Sequence, residues 1–503
     1  MKKVDTRFIY WGLFLLYIVL VFIVGIHHEQ WADEAQSWLI SRDISYFNIF
    51  FTETKYEGHP FVWFFIEKTF INIFSSFTDS SNLYNWVFLL PLFFSSVGVY
   101  LFLFKSKFPL CLKILVPFTF YIFYQYGVIA RNHCLCFPML AIIAAFYSKK
   151  FEHPFIYILL LIINANISAY LYPISLVLII FFIYESFQYE DKREKMKYLY
   201  FNIMGLFCLL LLAFQMYNPT DCYFWRGIDY SPEHLYEELK GISNIYFPQN
   251  DIDIEDGISF FFTLIFYFVL TISLYFCTMK VYCKNIKQII FFLSLNIPFF
   301  IICTYLYSSS WHYGYALVIL IFTCWILTDK NHIYDIPIKG NAFFYVFILC
   351  VLGYYIVGNI QICLYDINNN YSGSKDVANF LKSHSLQSYK INGIGFKTVA
   401  IQPYFKRNLY ENYINATHFS WRQNFYDNYA KKSKRLTPII IVSNFDLYRD
   451  NKILKKIEKT YYKCYEVPGK LQNLNLKKGK YEDEAFYVYI NKELQNEIDI
   501  CRL

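Results

Sequence analysis

The sequence predicts a polytopic α-helical membrane protein of about eleven transmembrane helices, followed by a C-terminal extracytoplasmic α/β domain. The chain of 503 residues is 56% hydrophobic and 22% aromatic, a composition that argues against a soluble enzyme. Repeated apolar runs of about 20 residues are long enough to cross a hydrocarbon core of about 30 Å. After Tyr365 these runs stop and the chain becomes polar. The sequence therefore divides into a membrane part, residues 1–364, and a C-terminal part, residues 365–503.

The loops between the apolar runs predict the orientation of the chain. The short loops on one side, together with the N-terminus, carry 17 Lys and Arg residues, whereas the longer loops 27–83, 127–133 and 218–257 carry six. Cytoplasmic loops are enriched in Lys and Arg. We therefore predict a multi-pass protein of the cytoplasmic (inner) membrane, with a cytoplasmic N-terminus and the C-terminal domain outside. The predicted spans are 8–26, 84–104, 109–127, 133–148, 154–171, 172–188, 198–217, 258–277, 288–307, 313–329 and 342–364.

Segment 61–77 is apolar but is interrupted by Glu67 and Lys68, which predicts a helix at the membrane surface rather than a span. In the C-terminal part, Ser374 begins a capped amphipathic helix. Residues 389–396 and 436–443 have the pattern of β-strands. Cys464 and Cys501 both lie outside the cytoplasm in this topology, and the sequence leaves open whether they form a disulfide.

Several chemically reactive side chains follow the first predicted span. Asp33 and Glu34 lie in the sequence Trp-Ala-Asp-Glu-Ala-Gln-Ser-Trp at 31–38, and Glu57 and His59 lie in Tyr-Glu-Gly-His-Pro at 56–60. Acids close to lipid are disfavoured unless they are hydrated, paired or used. The pattern favours an active site at the membrane surface, in which Asp33 and Glu34 are the catalytic acids and Asp33 takes a proton from a hydroxyl group. Alternatively, both acids cap an interfacial helix, where the helix dipole favours negative charge.

Binding roles are predicted for further residues at the same face. Glu34, Glu57 and His59 could hold a divalent metal ion, the one cofactor that we consider, because carboxylates and imidazole suit such ions. Arg131 lies where the third span emerges and could bind a phosphate through two hydrogen bonds; alternatively it reaches lipid headgroups. His312 lies in the short turn 308–313 and is either a binding residue or an interfacial anchor. We expect no nucleic-acid partner.

The two motifs resemble the GT-C superfamily of membrane glycosyltransferases. Asp-Glu-Ala-Gln-Ser-Trp in the first outside loop, followed by Glu-Gly-His-Pro before a surface helix, is most similar to the group of protein mannosyltransferases and aminoarabinose transferases. The resemblance implies a GT-C-type fold, a polyprenyl-phosphate-linked sugar as donor, and Asp33 as the base. Arg131 resembles an Arg in the same loop of relatives, and Glu57, His59 and His312 fit the same picture as residues that bind the donor or a metal. Many relatives have a second proline where this chain has Phe61.

The leading hypothesis is an inverting glycosyltransferase that moves a sugar from a polyprenyl-phosphate donor to a lipid, glycan or protein acceptor on the outer membrane face. A transporter or flippase of lipid-linked saccharides is the main alternative, although such proteins usually carry polar groups in mid-membrane. A polymerase or ligase of surface polysaccharide and a non-catalytic assembly component are further alternatives. The sequence identifies neither the sugar nor the acceptor.

Overall fold

The computed structural model describes residues 6–223, 245–246, 257–305, 309, 311–331, 341–414, 416–435, 437–443, 451–471 and 484–494. The helices of the membrane part are α1 (Thr6–His27), α2 (Ala32–Asp43), α3 (Val62–Phe74), α4 (Leu89–Lys105), α5 (Cys136–Phe146), α6 (Pro154–Ala165), α7 (Tyr172–Ser186), α8 (Lys192–Gln215), α9 (Gly257–Tyr282), α10 (Ile286–Tyr305), α11 (Gly314–Asn331) and α12 (Ala342–Asn368). The C-terminal part contains α13 (Ser374–Ser383), β1 (Ile391–Ile394), α14 (Gln423–Ser433), β2 (Ile439–Ser443), α15 (Asn451–Thr460), β3 (Tyr461–Val467) and β4 (Phe486–Asn491).

Short helical turns connect these elements. They lie at Tyr46–Asn48, Ile49–Glu53, Thr54–Glu57, Ser80–Leu83, Tyr84–Trp86, Leu110–Leu115, Val116–Phe118, Tyr121–Gln125, Asn132–Leu135, Tyr147–Lys149, Leu386–Ser388, Phe396–Tyr404 and Lys492–Leu494.

Six helices of the described chain are long and apolar enough to cross a membrane, which fits the predicted helical membrane protein. They are Thr6–His27, Ser80–Lys105, Lys192–Gln215, Ile265–Tyr282, Ile286–Thr304 and Ala342–Asn368. Helices α5, α6 and α7 have only 11, 12 and 15 residues, so at 1.5 Å per residue each is shorter than a hydrocarbon core of about 30 Å. The count of eleven spans therefore stays a prediction.

The segment predicted to span the membrane at 109–127 is not one continuous helix, and its crossing of the membrane stays a prediction. It forms three short turns, Leu110–Leu115, Val116–Phe118 and Tyr121–Gln125. Pro117 lies at the start of the second turn, and Thr119 after it is extended, with φ −70° and ψ 150°. A proline lacks the N–H that a continuous helix needs at this position.

Helix α11 lies at the centre of the membrane part. It packs against α5, α9 and α10, and 14 of its 18 residues are buried. His312 lies two residues before α11, and Lys330 lies in its last turn, where it pairs with Glu185 of α7 at 2.9 Å. Lys150 also pairs with Glu185. The surroundings of His312 and this lysine cluster therefore lie at opposite ends of α11.

Helix α3 occupies most of the segment predicted as a surface helix. Glu67, which interrupts its apolar sequence, is buried against α2 and accepts hydrogen bonds from Ser37 at 3.0 Å and Ser41 at 2.9 Å. Lys68 donates to the carbonyl of Ser41 at 3.1 Å. The side chains of Glu67 and Lys68 therefore attach α3 to α2, while the location of α3 at a membrane surface stays a prediction.

A four-stranded sheet in the order β1-β2-β4-β3 forms the core of the C-terminal part. Strands β1 and β2 are parallel, and β4 is antiparallel to both β2 and β3. Both predicted strands are present, and every residue of β1 and β2 is buried, as expected for short apolar strands covered on both faces. The sequence did not predict β3 or β4. Cys464 in β3 is disulfide-bonded, and Cys501 lies outside the described residues.

We predict that Gly314→Ala destabilises the protein. A methyl group at Gly314 would collide with the Tyr126 hydroxyl and the Tyr121 ring, and overpacking of this kind costs about 1–3 kcal/mol. Gly353→Ala in α12 is the matched control, because no atom lies within 4 Å of the added methyl group. The midpoint of thermal unfolding in detergent should fall for Gly314→Ala alone; equal midpoints would contradict the packing described for α11.

Candidate functional site

Helix α2 begins at Ala32, and both predicted catalytic acids lie in its first turn. Glu34 is the third residue of the helix, and its carboxylate accepts a hydrogen bond from the backbone N–H of Trp31 at 3.2 Å. This contact satisfies an N–H that has no partner within the helix, and the helix dipole favours an acid at this position. The alternative prediction of a helix cap is therefore correct for Glu34.

Glu34 is only 1% exposed, and protein groups occupy both of its oxygens. Oε1 accepts the backbone N–H of Ala130 at 2.6 Å. Oε2 contacts Nε2 of His28 at 3.1 Å as well as the N–H of Trp31. The predicted roles of Glu34 as catalytic acid and metal ligand do not fit this arrangement, because its oxygens are already used. Glu34 instead fixes the start of α2 against its neighbours.

His28 connects Glu34 to the end of α12, the last long helix. Its Nδ1 lies 2.9 Å from Oδ2 of Asp366 in α12, and Tyr124 donates its hydroxyl to the same oxygen at 2.8 Å. Burial disfavours the charged imidazole, but the carboxylates of Asp366 and Glu34 outweigh it and raise the pKa of His28 to about 10. A protonated His28 thus holds together the end of α1, the start of α2 and the end of α12.

Asp33 has a different environment from Glu34. Its side chain is 23% exposed, and Nη2 of Arg131 lies 3.8 Å from its Oδ2. Nη1 of Arg131 donates to the backbone carbonyl of Asp33 at 2.6 Å. Burial raises the pKa of Asp33, and the positive charges of Arg131 and Lys397 oppose that rise. Asp33 is therefore a carboxyl group of increased basicity, with access to solvent and a cation beside it.

Three histidines gather next to Arg131. The ring of His133 lies 5.2 Å from that of His312 and 6.1 Å from that of His59, and the rings of His59 and His312 are 6.5 Å apart. Nδ1 of His133 contacts the Tyr315 hydroxyl at 3.0 Å. Burial and the charge of Arg131 lower the pKa of His59 to about 3, which keeps its imidazole neutral. The structure thus brings the predicted residues His59, Arg131 and His312 together, and adds His133.

Glycine at position 58 directs His59 into this cluster. Gly58 ends the turn Thr54–Glu57 with φ 68° and ψ 10°, in the left-handed region that residues with a Cβ rarely adopt. Pro60 then favours an extended backbone at His59. The Gly-His-Pro sequence therefore fits the backbone conformation that this turn requires.

Several buried polar atoms around Asp33 have no hydrogen-bond partner among the described residues. These atoms are Nε of Arg131, Nε1 of Trp31 and Nδ1 of His59. Trp31 packs against Trp311 with ring centroids 5.5 Å apart. An unsatisfied buried donor costs about 1–3 kcal/mol, so these groups could pair with a ligand that supplies the missing partners. A ligand rich in oxygen atoms, such as a sugar or a phosphate, has the required acceptors.

The residues predicted to hold a metal ion do not converge on one point. Glu57 accepts a hydrogen bond from Nε2 of Gln36 at 2.9 Å, and burial raises the pKa of Glu57 to about 8, so it is mostly protonated at neutral pH. Both carboxylate oxygens of Glu34 already contact protein groups, and His59 faces other histidines. Within the described residues, no group of three or more His, Cys, Asp or Glu side chains has a metal-binding arrangement. We therefore derive no step through a metal.

The C-terminal part covers α2 from one side. Oε1 of Glu484 accepts the backbone N–H of Ala32 at 2.9 Å. Gln36 exchanges two hydrogen bonds with the backbone of Phe419: its Nε2 donates to the carbonyl at 2.6 Å, and its Oε1 accepts the N–H at 2.9 Å. The turn Phe396–Tyr404 also packs on α2. These contacts make the C-terminal part a roof over the helix that carries Asp33.

The chain matches no protein-family model, no curated protein and no solved structure. Sequence reasoning missed His28, His133, Asp366 and Lys397, whose importance depends on contacts between distant segments. Asp366 had a recognisable signal, because it is the acid at the end of the last apolar run.

We predict that His28→Gln lowers stability strongly, by about 3–5 kcal/mol, because it leaves two buried carboxylates without their cation. Since the pKa of His28 rises from its ordinary value of 6.5 to about 10 in the fold, its stabilising contribution is complete below about pH 6.5 and is lost as the pH rises through about 10. Thermal unfolding measured between pH 6 and pH 10 should show this loss in the wild type.

The variant should therefore be less stable at pH 7 and should depend less on pH between 7 and 10. His384→Gln is the matched control, since His384 is partly exposed in the C-terminal part, far from Glu34 and Asp366 in the chain, and bonds to Ser383 and the carbonyl of Phe380. If His28→Gln unfolds at the same temperature as the wild type at pH 7, the ion pairs of His28 with Glu34 and Asp366 do not stabilise the fold.

Proposed function

We propose that the protein is a GT-C-type glycosyltransferase that moves a sugar from a polyprenyl-phosphate donor to a lipid, glycan or protein acceptor. The observation that carries the proposal is the pairing of Asp33 with Arg131. A partly exposed carboxylate of raised pKa lies beside a cation and among buried polar atoms that lack partners. General base catalysis and phosphate binding require these two kinds of group side by side.

In the proposed reaction, an acceptor hydroxyl attacks the anomeric carbon of the donor sugar. The proton of the hydroxyl passes to a carboxylate oxygen of Asp33, and the new bond joins the acceptor oxygen to the anomeric carbon. The bond between the anomeric carbon and the phosphate oxygen breaks, and its electron pair stays on the lipid phosphate. The configuration at the anomeric carbon is inverted, because the acceptor hydroxyl attacks one face of the sugar ring and the phosphate leaves from the opposite face. Arg131 stabilises the charge that appears on the leaving phosphate.

Asp33 fits the base better than the other acids near it. Glu34 has both oxygens occupied, and the raised pKa of Glu57 leaves it mostly protonated at neutral pH. Asp33 alone among these three combines partial exposure with an adjacent cation. Its raised pKa also brings its basicity closer to neutral pH, where a general base is most effective.

The neutral histidines suit the polar parts of such a donor. An imidazole without charge can donate one hydrogen bond and accept another, as sugar hydroxyls require. The indole rings of Trp31 and Trp311 lie at the edge of the same cluster and supply apolar surface for the face of a sugar ring. We assign His59 and His312 to donor binding, with His133 beside them.

A membrane location at the outer face agrees with the placement of these groups. The site lies where α1 ends and α5 and α11 begin, and the lysine cluster around Glu185 lies at the other end of α11. Basic residues favour the cytoplasmic side, so the site would be extracytoplasmic in an inner membrane crossed about eleven times. The disulfide at Cys464 agrees with an oxidising compartment for the C-terminal part.

We predict that Asp33→Asn lowers turnover at least about 100-fold, because a general base contributes about 10²–10⁴-fold. Asparagine has nearly the same shape but cannot accept the proton, so donor binding should persist. The assay uses native membrane vesicles, which contain acceptors, and a pool of polyprenyl-phosphate monosaccharides, and mass spectrometry follows the release of polyprenyl phosphate.

Asp43→Asn is the matched control, because Asp43 lies at the end of the same helix, is exposed and pairs with Arg42. The proposal requires near-normal release of polyprenyl phosphate by this variant. Wild-type turnover by Asp33→Asn, or the absence of any release by the wild type, would refute the proposed function.

A further inference from the structure

A polar cavity lies at the end of α11 that is opposite the candidate functional site. The turn after α5, the end of α7 and the end of α11 form its walls. Its volume is about 640 Å³, within the range of about 300–1,000 Å³ that is typical of small-molecule sites. Five of the residues that line it are charged: Lys150, Glu185, Glu190, Asp329 and Lys330.

The two lysines of this cavity share one carboxylate. Nζ of Lys330 lies 2.9 Å from Oε1 of Glu185, and Lys150 pairs with Oε2 of the same residue. The side chain of Lys150 is only 5% exposed, and its ammonium lies 3.6 Å from the centre of the Tyr147 ring. Burial lowers the pKa of Lys150 to about 8, although Glu185 opposes that fall, so Lys150 is mostly protonated at neutral pH. Two ammonium groups and one carboxylate leave one positive charge in excess.

The other two acids of the cavity do not cancel this excess. Asp329 pairs with Lys107 at 3.4 Å. Glu190 is exposed, so water and salt screen its charge. Because a lysine ammonium has three N–H donors, Lys150 and Lys330 can each contact an anion while they keep their ion pairs with Glu185.

The hydroxyl group of Tyr147 adds a hydrogen-bond donor to the two cations. Tyr147 lines the cavity and is only 6% exposed. Its hydroxyl has no hydrogen-bond partner within the part of the chain that the structure describes, and an unsatisfied buried polar group costs about 1–3 kcal/mol. The oxygen atoms of a phosphate accept hydrogen bonds from ammonium and hydroxyl groups alike. A phosphate therefore matches the donors of this cavity.

The surface around the cavity favours a membrane lipid as the source of the phosphate. Tyr184 and Phe187, at the end of α7, are 47% and 56% exposed. Lys287 lies over the ring of Tyr184 at 5.6 Å, and Lys195 lies over the ring of Phe187 at 4.6 Å. Exposed aromatic rings with lysines beside them are typical of the level of lipid headgroups. The rings offer apolar surface to acyl chains, and the lysines attract an anionic headgroup.

From this juxtaposition we infer that the cavity binds the phosphate of an anionic phospholipid in the leaflet on this side, which is the predicted cytoplasmic side. Lys150 and Lys330 pair with the phosphate, and Tyr147 donates its hydroxyl to it. Basic pockets between helices on the cytoplasmic side bind anionic headgroups. The bound lipid joins the turn after α5 to the ends of α7 and α11 and so stabilises the folded protein. The inference goes beyond the proposed reaction, which occurs at the other end of α11.

The inference predicts that Lys330→Met weakens the binding of dioleoyl phosphatidylglycerol about tenfold, equivalent to one charge-assisted hydrogen bond. Lys330→Arg should retain most of the binding, because it keeps the charge. The dissociation constant is measured by native mass spectrometry of the full chain in detergent. Dioleoylglycerol, which lacks the phosphate, is the ligand control, and its binding should be the same in all variants. Wild-type affinity of Lys330→Met for phosphatidylglycerol would overturn the inference.

Two further variants separate this site from general attraction to an anionic surface. Tyr147→Phe keeps the ring under Lys150 and removes only the hydroxyl, so binding of phosphatidylglycerol should weaken about threefold. Lys197→Met is the matched control, because Lys197 lies on the same predicted side, is 45% exposed and pairs with Glu194 at 3.1 Å. Its binding should equal that of the wild type. Equal losses in Lys197→Met and Lys330→Met, or wild-type affinity in Tyr147→Phe, would contradict the site.

A soluble phosphate distinguishes the two sources of the ligand. Glycerol phosphate carries the same group without acyl chains, and it should bind much more weakly than phosphatidylglycerol. Phosphatidylglycerol should also raise the midpoint of thermal unfolding of the wild type, and raise that of Lys330→Met less. If glycerol phosphate binds as tightly as the lipid, the cavity serves a soluble compound and the inference is wrong. None of these results depends on turnover by Asp33, so the inference and the proposed function are tested separately.

Discussion

His28 lies between two buried carboxylates, Glu34 and Asp366, and its positive charge offsets the cost of burying them away from water. The three residues belong to segments that are far apart in the chain, and the hydroxyl of Tyr124 completes the group. Glu34 also accepts the backbone N–H of Ala130. The position of Glu34 beside His28 therefore determines where the loop before Arg131 runs. The direction of α2 and the position of Arg131 therefore depend on one buried ionic group.

This arrangement separates two adjacent acids into different roles. Glu34 is used entirely within the protein, whereas Asp33 keeps partial access to solvent beside Arg131. A carboxyl group that is held by its backbone, through the bond from Arg131 to the carbonyl of Asp33, can change protonation without disturbing the fold. Sites that combine a rigid support with a carboxylate left available are well suited to catalysis, since the support fixes the geometry before the substrate arrives.

Local sequence patterns were sufficient to predict the long helices and the strands β1 and β2. They also predicted that Asp33, His59, Arg131 and His312 lie near one another. They failed where a proline divides the segment 109–127, and where charged residues such as Lys463 and Glu466 obscure strand β3. They also could not separate Asp33 from Glu34, because that difference arises from His28, Ala130 and residues of the roof. Contacts such as that between Ala32 and Glu484, 452 positions apart, leave no local pattern in the chain.

A cryo-electron microscopy structure of the full chain in nanodiscs with polyprenyl phosphate tests most directly whether a lipid phosphate binds next to Asp33, as we propose. We expect phosphate density within hydrogen-bond distance of Arg131, with the carboxylate of Asp33 facing the position of the departed sugar. Phosphate density at any other place, with Arg131 contacting protein groups alone, would contradict the proposed function.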